Sequence, residues 1–586
     1  MSIKVTSDSV VMSKPFSLLE LEVGECLGFE CSADQITARI DRTSKIALAE
    51  FLKFAFKNFS TNPKLAAERK LTYLQIGEAY ERDYNNFLKE YKPEEMYNNV
   101  KDRDGNTRKI DDYQIKSIYD MRNRRANLLG MEQGAGKTIT SASISKLLGI
   151  KRTVIVSIAA PKFNWLDDLS KGWGFPDTDF TMLDASRCNF SFLYERYVVI
   201  NYEMIDKYFP HLIRDDVGHI IFDECQKIKG SSTDLFKSAL KLVKHFPKAK
   251  VSFLSGTPIK NNIIDMYAYL KLARHPLGRD LKAFKARFTE VENKVVKAKD
   301  INLFRLMTSN FTIRIKINDV VEMPKLTISK TYIKSNNKSQ YESAMAEAYN
   351  KGERFKVVST EIELLTPKRG KTPEEVALLK RLVKEKNELR IAKRSNSMKL
   401  NRINSYRKVP AAIEIIDKLV NKGEKVVVFS FFSDTVHAIN KHYGPKAVMV
   451  EGATPAKKRM DYVNEFMKSS KTRVFVAQGV AGGVGINLFN SCHGFAVDLP
   501  FTPSDLEQPI TRLYRRGQKR DVSFGLLMIE GSIDDHVYNN ILTGKSNDIN
   551  EILDKDHKDN IKYSEVASQE MIFDSLMEQY KQQLSK

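Results

Sequence analysis

Between residues 152 and 256 the chain repeats one pattern: a short unbroken apolar run, then a longer amphipathic stretch. The runs are RTVIVSIA (152–159), RYVVINYE (196–203), HIIFDE (219–224) and KVSFLSG (250–256). A strand that is apolar on both faces must be covered on both, so such strands alternating with helices predict a parallel sheet between helical layers. The pattern stops near Lys325 and resumes with KVVVFSF (425–431), KAVMVEG (446–452), TRVFVAQ (472–478) and HGFAVDLP (493–500), which predicts a second α/β lobe. Residues 1–105 show helical periodicity instead, as in IALAEFLKFAFKNF at 46–59, and no catalytic motif. The chain therefore reads as an accessory region, largely helical, at 1–105, then a first lobe at 106–325 and a basic helical linker or insertion at 326–405. A second lobe at 406–545 and a helical tail at 546–586 complete it.

Composition adds bounds. At 586 residues the chain is too long for one core. No apolar run is long enough to span a bilayer, and MSIKVTSDSV lacks the layout of a secretory signal. A cytoplasmic or nuclear protein, not secreted and without a membrane partner, is expected. Cys26, Cys31, Cys188, Cys225 and Cys492 form no CxxC pair, which speaks against a structural zinc. Charge changes the picture more: Lys and Arg number 94 against 73 Asp and Glu, a net of +21. That excess favours a polyanionic partner, because neutralising phosphates releases their counterions. Residues 366–408 concentrate it, with about 14 Lys/Arg against four Glu, and read either as part of a nucleic-acid track or as a soluble linker.

The first chemical feature is the stretch Gly130-Met131-Glu132-Gln133-Gly134-Ala135-Gly136-Lys137-Thr138 before a helical pattern. Glycines let backbone N–H groups wrap phosphates, and the helix N-terminus adds positive potential. Lys137 suits the β- and γ-phosphates, and the Thr138 hydroxyl suits Mg²⁺. A fuller GxxxxGK[ST] pattern would need glycine where Met131 stands; only the GxGKT core is present.

Further on, Ile220-Ile221-Phe222 delivers Asp223 and Glu224 to the end of an apolar strand. Open α/β sheets bind ligands at that edge. Asp223 would hold Mg²⁺ through water, and Glu224 would orient and deprotonate an attacking water. Another strand ends in Ser255-Gly256-Thr257-Pro258, whose hydroxyls can hydrogen-bond the acid pair; an ordinary strand-ending turn would look the same. In the second lobe Arg512 and Arg515 lie three apart within QPITRLYRRGQ (508–518), on one face if that segment is helical. Upstream, Ala481-Gly482-Gly483-Val484-Gly485 is a turn suited to close backbone approach.

With these pieces in order, the sequence resembles the superfamily 2 helicase-type ATPases, specifically the Swi/Snf-type DNA translocases, from about Asp111 to Tyr538. LSGTPIKNN (254–262), AGGVGINL (481–488), QPITRLYRRGQ (508–518) and GSIDDHVY (531–538) carry it. Asp112-Tyr113-Gln114, Asn164-Trp165, FTIRIKINDVV (311–321) and MPK (323–325) are softer matches. RKVPAAIEIIDKL (407–419) is similar to the annealing-helicase branch. Where that family reads DEMGLGKT this chain has MEQGAGKT, and where it reads DEAH or DECH this chain has DECQ. Val480 stands where a polar or basic residue is common, and Tyr514-Arg515-Arg516 stands for HRI.

The resemblance implies two tandem RecA-like lobes, parallel sheets with flanking helices, closing on one ATP with Mg²⁺. Lys137, Asp223, Glu224, Arg512 and Arg515 would be catalytic, with Thr138 and Asp223 on the metal. Gln114 would read adenine, and Gln133, Gly134, Ala135, Gly136, Gly485 and Gln508 would complete the nucleotide pocket. Gln226, Ser255, Gly256 and Thr257 would couple hydrolysis to movement. The implied partner is double-stranded or branched DNA, with replication, repair or transcription proteins alongside a monomeric motor. Two other roles fit the same residues: a transcription-associated ATPase that displaces or recycles RNA polymerase, and a non-hydrolysing DNA-binding scaffold. The compact length suits a phage, viral or bacterial source.

Overall fold

The apolar runs become strands whose C-terminal ends share one edge in each sheet. The computed structural model describes residues 2–56, 63–93, 97, 100, 107–158, 165–183, 195–213, 216–259, 262–292, 295–335, 338–367, 372–479, 486–539 and 569–584. Two compact units divide the chain, the first running Met1–Glu322 and the second beginning at Met323 and taking in the C-terminal helix.

The first unit opens with a feature that helical periodicity did not anticipate. Strands β1 (Ser2–Val5), β2 (Ser9–Ser13), β3 (Glu30–Cys31) and β4 (Gln35–Arg39) form an antiparallel sheet in the order β1-β2-β4-β3. Val10 opposes Ala38 and Met12 opposes Ile36, and all four are buried, so the two-residue period there marks one covered face. The expected helices follow at Lys45–Ala55 and Pro63–Glu90. The Asn310 side chain accepts from Ser44 N at 2.9 Å and donates to Leu27 O at 2.8 Å and Arg42 O at 3.2 Å, tying this module down.

The first large sheet contains β5 (Ala126–Met131), β6 (Thr153–Ser157), β7 (Phe180–Met182), β8 (Tyr197–Asn201), β9 (His219–Asp223) and β10 (Lys250–Leu254). A small hairpin, β11 (Thr289–Glu292) and β12 (Val295–Ala298), precedes its last strand, β13 (Thr312–Ile315). All seven sheet strands are parallel, in the order β13-β5-β10-β9-β6-β8-β7. His219 is fully buried, with Ser145 Oγ 2.7 Å from Nδ1 and Ser252 Oγ 2.8 Å from Nε2. Burial pushes its pKa down to about 3, so the imidazole is neutral.

The second unit contains β14 (Leu326–Tyr332), β15 (Val426–Ser430), β16 (Ala447–Val450), β17 (Val474–Gln478), β18 (His493–Ala496) and β19 (Val522–Met528). They are parallel, in the order β14-β19-β18-β15-β17-β16. Strand β14 comes from within the stretch read as linker. The basic insertion is a pair of long helices, Ser339–Leu365 and Pro373–Arg407, with a third helix, Gln569–Leu584, against both. Lys393, although basic, is buried: its ammonium donates to Asp574 at 2.7 Å and lies 4.0 Å from the Phe355 ring centroid. The last turns of the long helix are fixed by polar contacts, Asn401 to Leu499 O at 3.0 Å, Ser405 to Asp498 at 2.6 Å and Lys408 to Asp534 at 2.9 Å. Among the described residues no helix is long and apolar enough to cross a membrane.

Candidate nucleotide site and coupling loop

Because β13, β5, β10, β9 and β6 are neighbours and parallel, the segments that leave their C-terminal ends meet at one edge. Strand β5 leads into the glycine loop and the helix Lys137–Leu147. Gly134 and Gly136 have φ of +88° and +82°, conformations open to glycine at little cost. At Gly136 the constraint is also spatial, since a Cβ there would lie 2.0 Å from Gln114 Nε2. That amide is buried; it donates to Ala135 O at 3.1 Å and accepts from Asp111 N at 3.0 Å, and the Tyr113 hydroxyl reaches the same Ala135 carbonyl at 3.1 Å. Gln114 thus braces the glycine loop in this conformation. The Lys137 ammonium donates to Met131 O at 2.8 Å and Glu132 O at 3.3 Å, lying back over its own loop.

Strand β9 ends in the acid pair. Asp223 Oδ2 accepts from Ser157 Oγ and Trp165 Nε1, each at 2.9 Å. Burial and the adjacent Glu224 charge push the Asp223 pKa up to about 6, against the pull of those hydrogen bonds and of Lys137. Glu224 has φ of +49°, uncommon for a residue with a side chain, and the chain leaves the strand at this residue. Gln226 then bridges two strand ends: Nε2 donates to Glu224 Oε2 and Oε1 accepts from Ser255 Oγ at 2.7 Å. Ser255 Oγ in turn accepts from Thr257 N at 3.0 Å. A Cβ on Gly256 would stand 3.6 Å from Gln133, so the Ser255–Thr257 loop rests on the glycine loop.

Lys137, Thr138, Asp223, Glu224, Gln226, Ser255, Gly256 and Thr257 therefore gather at one sheet edge. Sequence reasoning gave no role to Arg314 on β13, which donates to Gly130 O at 2.9 Å and Gly256 O at 3.1 Å and pairs with Glu132 at 3.5 Å. Its only signal was a basic residue among the alternating apolar positions of FTIRI. Ser157 and Tyr202, which donates to Asp223 O at 2.8 Å, carried no signal either. The threonine hydroxyl and the carboxylate contributed at this edge are hard oxygens of the kind Mg²⁺ takes beside a triphosphate.

In the second unit the helix Pro503–Leu513 ends one residue after Arg512, and Tyr514 leaves helical conformation at ψ 87°. Arg512 and Arg515 therefore do not share a helical face. The break is fixed by buried Gln518, whose amide donates to Ser491 O at 2.9 Å and Leu513 O at 3.3 Å and so takes over a carbonyl at the helix end. Arg512 is buried, Leu488 N donates to its carbonyl at 3.0 Å, and the Arg515 guanidinium is held by Asn487. Gln508 lies on the helix, half-buried. Gly485 and the turn before it fall outside the described residues. One other trio, Glu424, Cys492 and His493, brings ligand-type atoms within 4.8 Å, but Arg520 already holds both Glu424 oxygens, at 3.2 and 2.9 Å.

Residues 113–398 match the SNF2-related domain and residues 408–517 the helicase conserved C-terminal domain. The chain is similar to an uncharacterized ATP-dependent helicase of Mycoplasma pneumoniae, 23% identical over 468 residues that cover 76% of this chain and 43% of that protein. It is similar to the DNA repair and recombination protein RAD54B of Mus musculus, 22% identical over 481 residues covering 70% and 52%. The chain spans about half the length of such relatives. Among solved structures, the Sulfolobus solfataricus SWI2/SNF2 ATPase core in complex with dsDNA covers 79% of this chain, with 95% of its own length aligned, 20% identity and a TM-score of 0.36.

Proposed function

This chain belongs to the SNF2-related family of helicase-type ATPases, and from that membership we propose that it hydrolyses ATP with Mg²⁺ to move along double-stranded DNA, remodelling forks, branches or protein–DNA complexes. One observation carries the reading: Lys137, Thr138 and the Asp223–Glu224 pair share a sheet edge, and the pair is wired to Ser255 through Gln226.

On this reading the Gly134–Gly136 backbone wraps the phosphates, and Lys137 leaves Met131 O and Glu132 O for the β- and γ-oxygens. Thr138 and Asp223 would hold Mg²⁺, which would supply screening of the charge that builds on the phosphates. Glu224 orients water and takes its proton. Arg512 and Arg515 are the proposed cations for the charge that develops in phosphoryl transfer, where a cation gains most. The Ser255–Thr257 loop passes the state of the nucleotide on to the DNA, and repeated cycles move a monomer along a backbone read mainly through its charge. Fork and repair work in the cytoplasm or nucleus, alongside other replication or repair proteins, is the proposed setting.

The test is ATP turnover by the full chain with duplex DNA, forked DNA, single-stranded DNA and RNA. Stimulation by duplex or forked DNA is expected. Stimulation by RNA alone would overturn the DNA reading, stimulation only in the presence of a stalled RNA polymerase would favour the transcription role, and no turnover with intact DNA binding would leave a scaffold.

A further inference from the structure

The matched SNF2-related domain begins at residue 113, yet contacts made before it reach the nucleotide loop. Helix Pro63–Glu90 lies against helix Asp112–Met121, with Asp83 at the centre of the contact. Its Oδ2 accepts from the Tyr119 hydroxyl at 2.7 Å and from the Arg122 guanidinium. Arg122 lies 3.9 Å from the Tyr119 ring centroid and donates to Tyr119 O at 2.6 Å, while Tyr84 meets that ring edge-on at 5.0 Å. These contacts grip the last turn of a ten-residue helix whose first turn carries Gln114. A helix that short moves as a rod, so a shift at Tyr119 is passed to the Gln114 amide and to the Ala135–Gly136 backbone it braces.

A second grip acts on the other side of the loop. The Tyr97 hydroxyl lies 2.6 Å from Ser143 Oγ on helix Lys137–Leu147, and Lys146 of that helix lies 4.9 Å from the Tyr97 ring centroid. The Tyr80 hydroxyl donates to Thr43 O at 2.8 Å and so joins helix Pro63–Glu90 to the antiparallel module. Helix Pro63–Glu90 and Tyr97 therefore touch, between them, both helices packed against the glycine loop.

We propose that Asp83 is a positioning residue for nucleotide selection: by fixing Tyr119 and Arg122 it sets the helix that presents Gln114, which makes the N-terminal module part of the nucleotide pocket. This rests on the ATPase reading and on Gln114 as the group that reads adenine. GTP shares the phosphate contacts of the braced loop but not the base contact of Gln114, so it should respond to the relay less than ATP does.

The experiment is steady-state hydrolysis of ATP and GTP by the full chain on duplex DNA, for Asp83→Ala, Tyr119→Phe and, as the control, Gln114→Ala, with a thermal melt of each. Losing a charge-assisted hydrogen bond at this distance should raise KM for ATP about five- to tenfold and KM for GTP by clearly less, so that the preference for ATP narrows, while kcat stays within about twofold. Tyr119→Phe removes only a hydroxyl and keeps the ring packing, so it decides the matter if Asp83→Ala folds poorly. If Gln114→Ala erases the preference for ATP and Tyr119→Phe leaves it intact, the relay is overturned alone. If Gln114→Ala leaves the preference intact, the relay falls together with the adenine-reading role. A chain that turns over neither nucleotide rejects the ATPase reading and the relay with it.

Discussion

The Gln226 amide donates to the Glu224 carboxylate across 2.5 Å. Its other end accepts from Ser255, so one uncharged side chain joins the proposed base to the coupling loop. An amide offers a donor and an acceptor in fixed relation whatever the pH. The related DEAH sequences place an imidazole there, whose two nitrogens change role on protonation.

Gln226→Ala should therefore separate turnover from movement. ATP hydrolysis should fall by less than about tenfold, because Glu224 keeps its place, while movement per ATP should fall further. Phosphate release measured beside displacement of a third DNA strand gives the two rates. Equal losses in both would remove Gln226 from the coupling path. Gln226→His should make coupling respond to pH near the imidazole value of about 6.5.

Glu224→Gln should keep the binding of ATP and of duplex DNA and lose turnover by roughly 10²- to 10⁴-fold, the usual worth of a general base. Fluorescent-nucleotide binding and single-turnover hydrolysis separate the two effects. Near-normal hydrolysis would assign the base elsewhere.

Gly136→Ala should abolish ATP binding, since its Cβ would fall 2.0 Å from Gln114 Nε2 at a φ of +82°. Adding Gln114→Ala removes the collision but leaves the backbone strain, so the double variant should recover only part of the affinity. Calorimetric titration with ATP reads both. Full binding by the single variant would mean that the loop opens away from Gln114 at little cost.

Stability should fall as the solution is acidified from pH 7 toward 4. His219 and His275 are buried, with pKa values held down to about 3 and about 4 by desolvation. The unfolded chain takes up protons near 6.5 that the fold refuses, so each group costs up to roughly 1.4 kcal/mol per pH unit below 6.5, until its folded value is reached. Asp223 works the other way. Its folded value is raised to about 6, so its contribution is fully present below 3.8 and is lost as pH rises through 6. Buried Asp498 is raised by desolvation and sides with Asp223, His493 is lowered and sides with the other two histidines, and the three histidines against two carboxylates leave a net loss on acidification. Thermal melts across that range should show it, and His219→Gln should flatten the slope; an unchanged slope would assign the acid sensitivity to other groups.

The strands that could be read in advance were those with continuous apolar runs, such as Val426–Ser430 and Val474–Gln478, because burial on both faces leaves nothing polar to blur them. Those missed lacked that mark. Phe180–Met182 is only three residues long, Leu326–Tyr332 is a half-exposed edge, and Val522–Met528 is interrupted by Gly525. The proposed catalytic groups were legible because their chemistry demands particular residues at strand ends. Their supports were not: Ser157 reaches Asp223 from 66 residues away, and only the strand order β9-β6 brings them together. The face shared by Arg512 and Arg515 failed for a related reason, since the helix end is decided by Gln518, whose amide caps it from beyond the turn. Helical periodicity likewise concealed the β1–β4 sheet, whose strands are too short to register in a window of helical length.

The order of synthesis gives the C-terminal helix a further meaning. Ile572, Phe573, Leu576 and Met577 are buried in the same core as Phe475 and Phe524 of the second sheet. A nascent chain that has exposed everything up to residue 539 still lacks those four side chains. The first unit's sheet can close while translation continues, whereas the second must hold part of its apolar interior open to water, and to chaperones, until Gln569–Leu584 has left the ribosome.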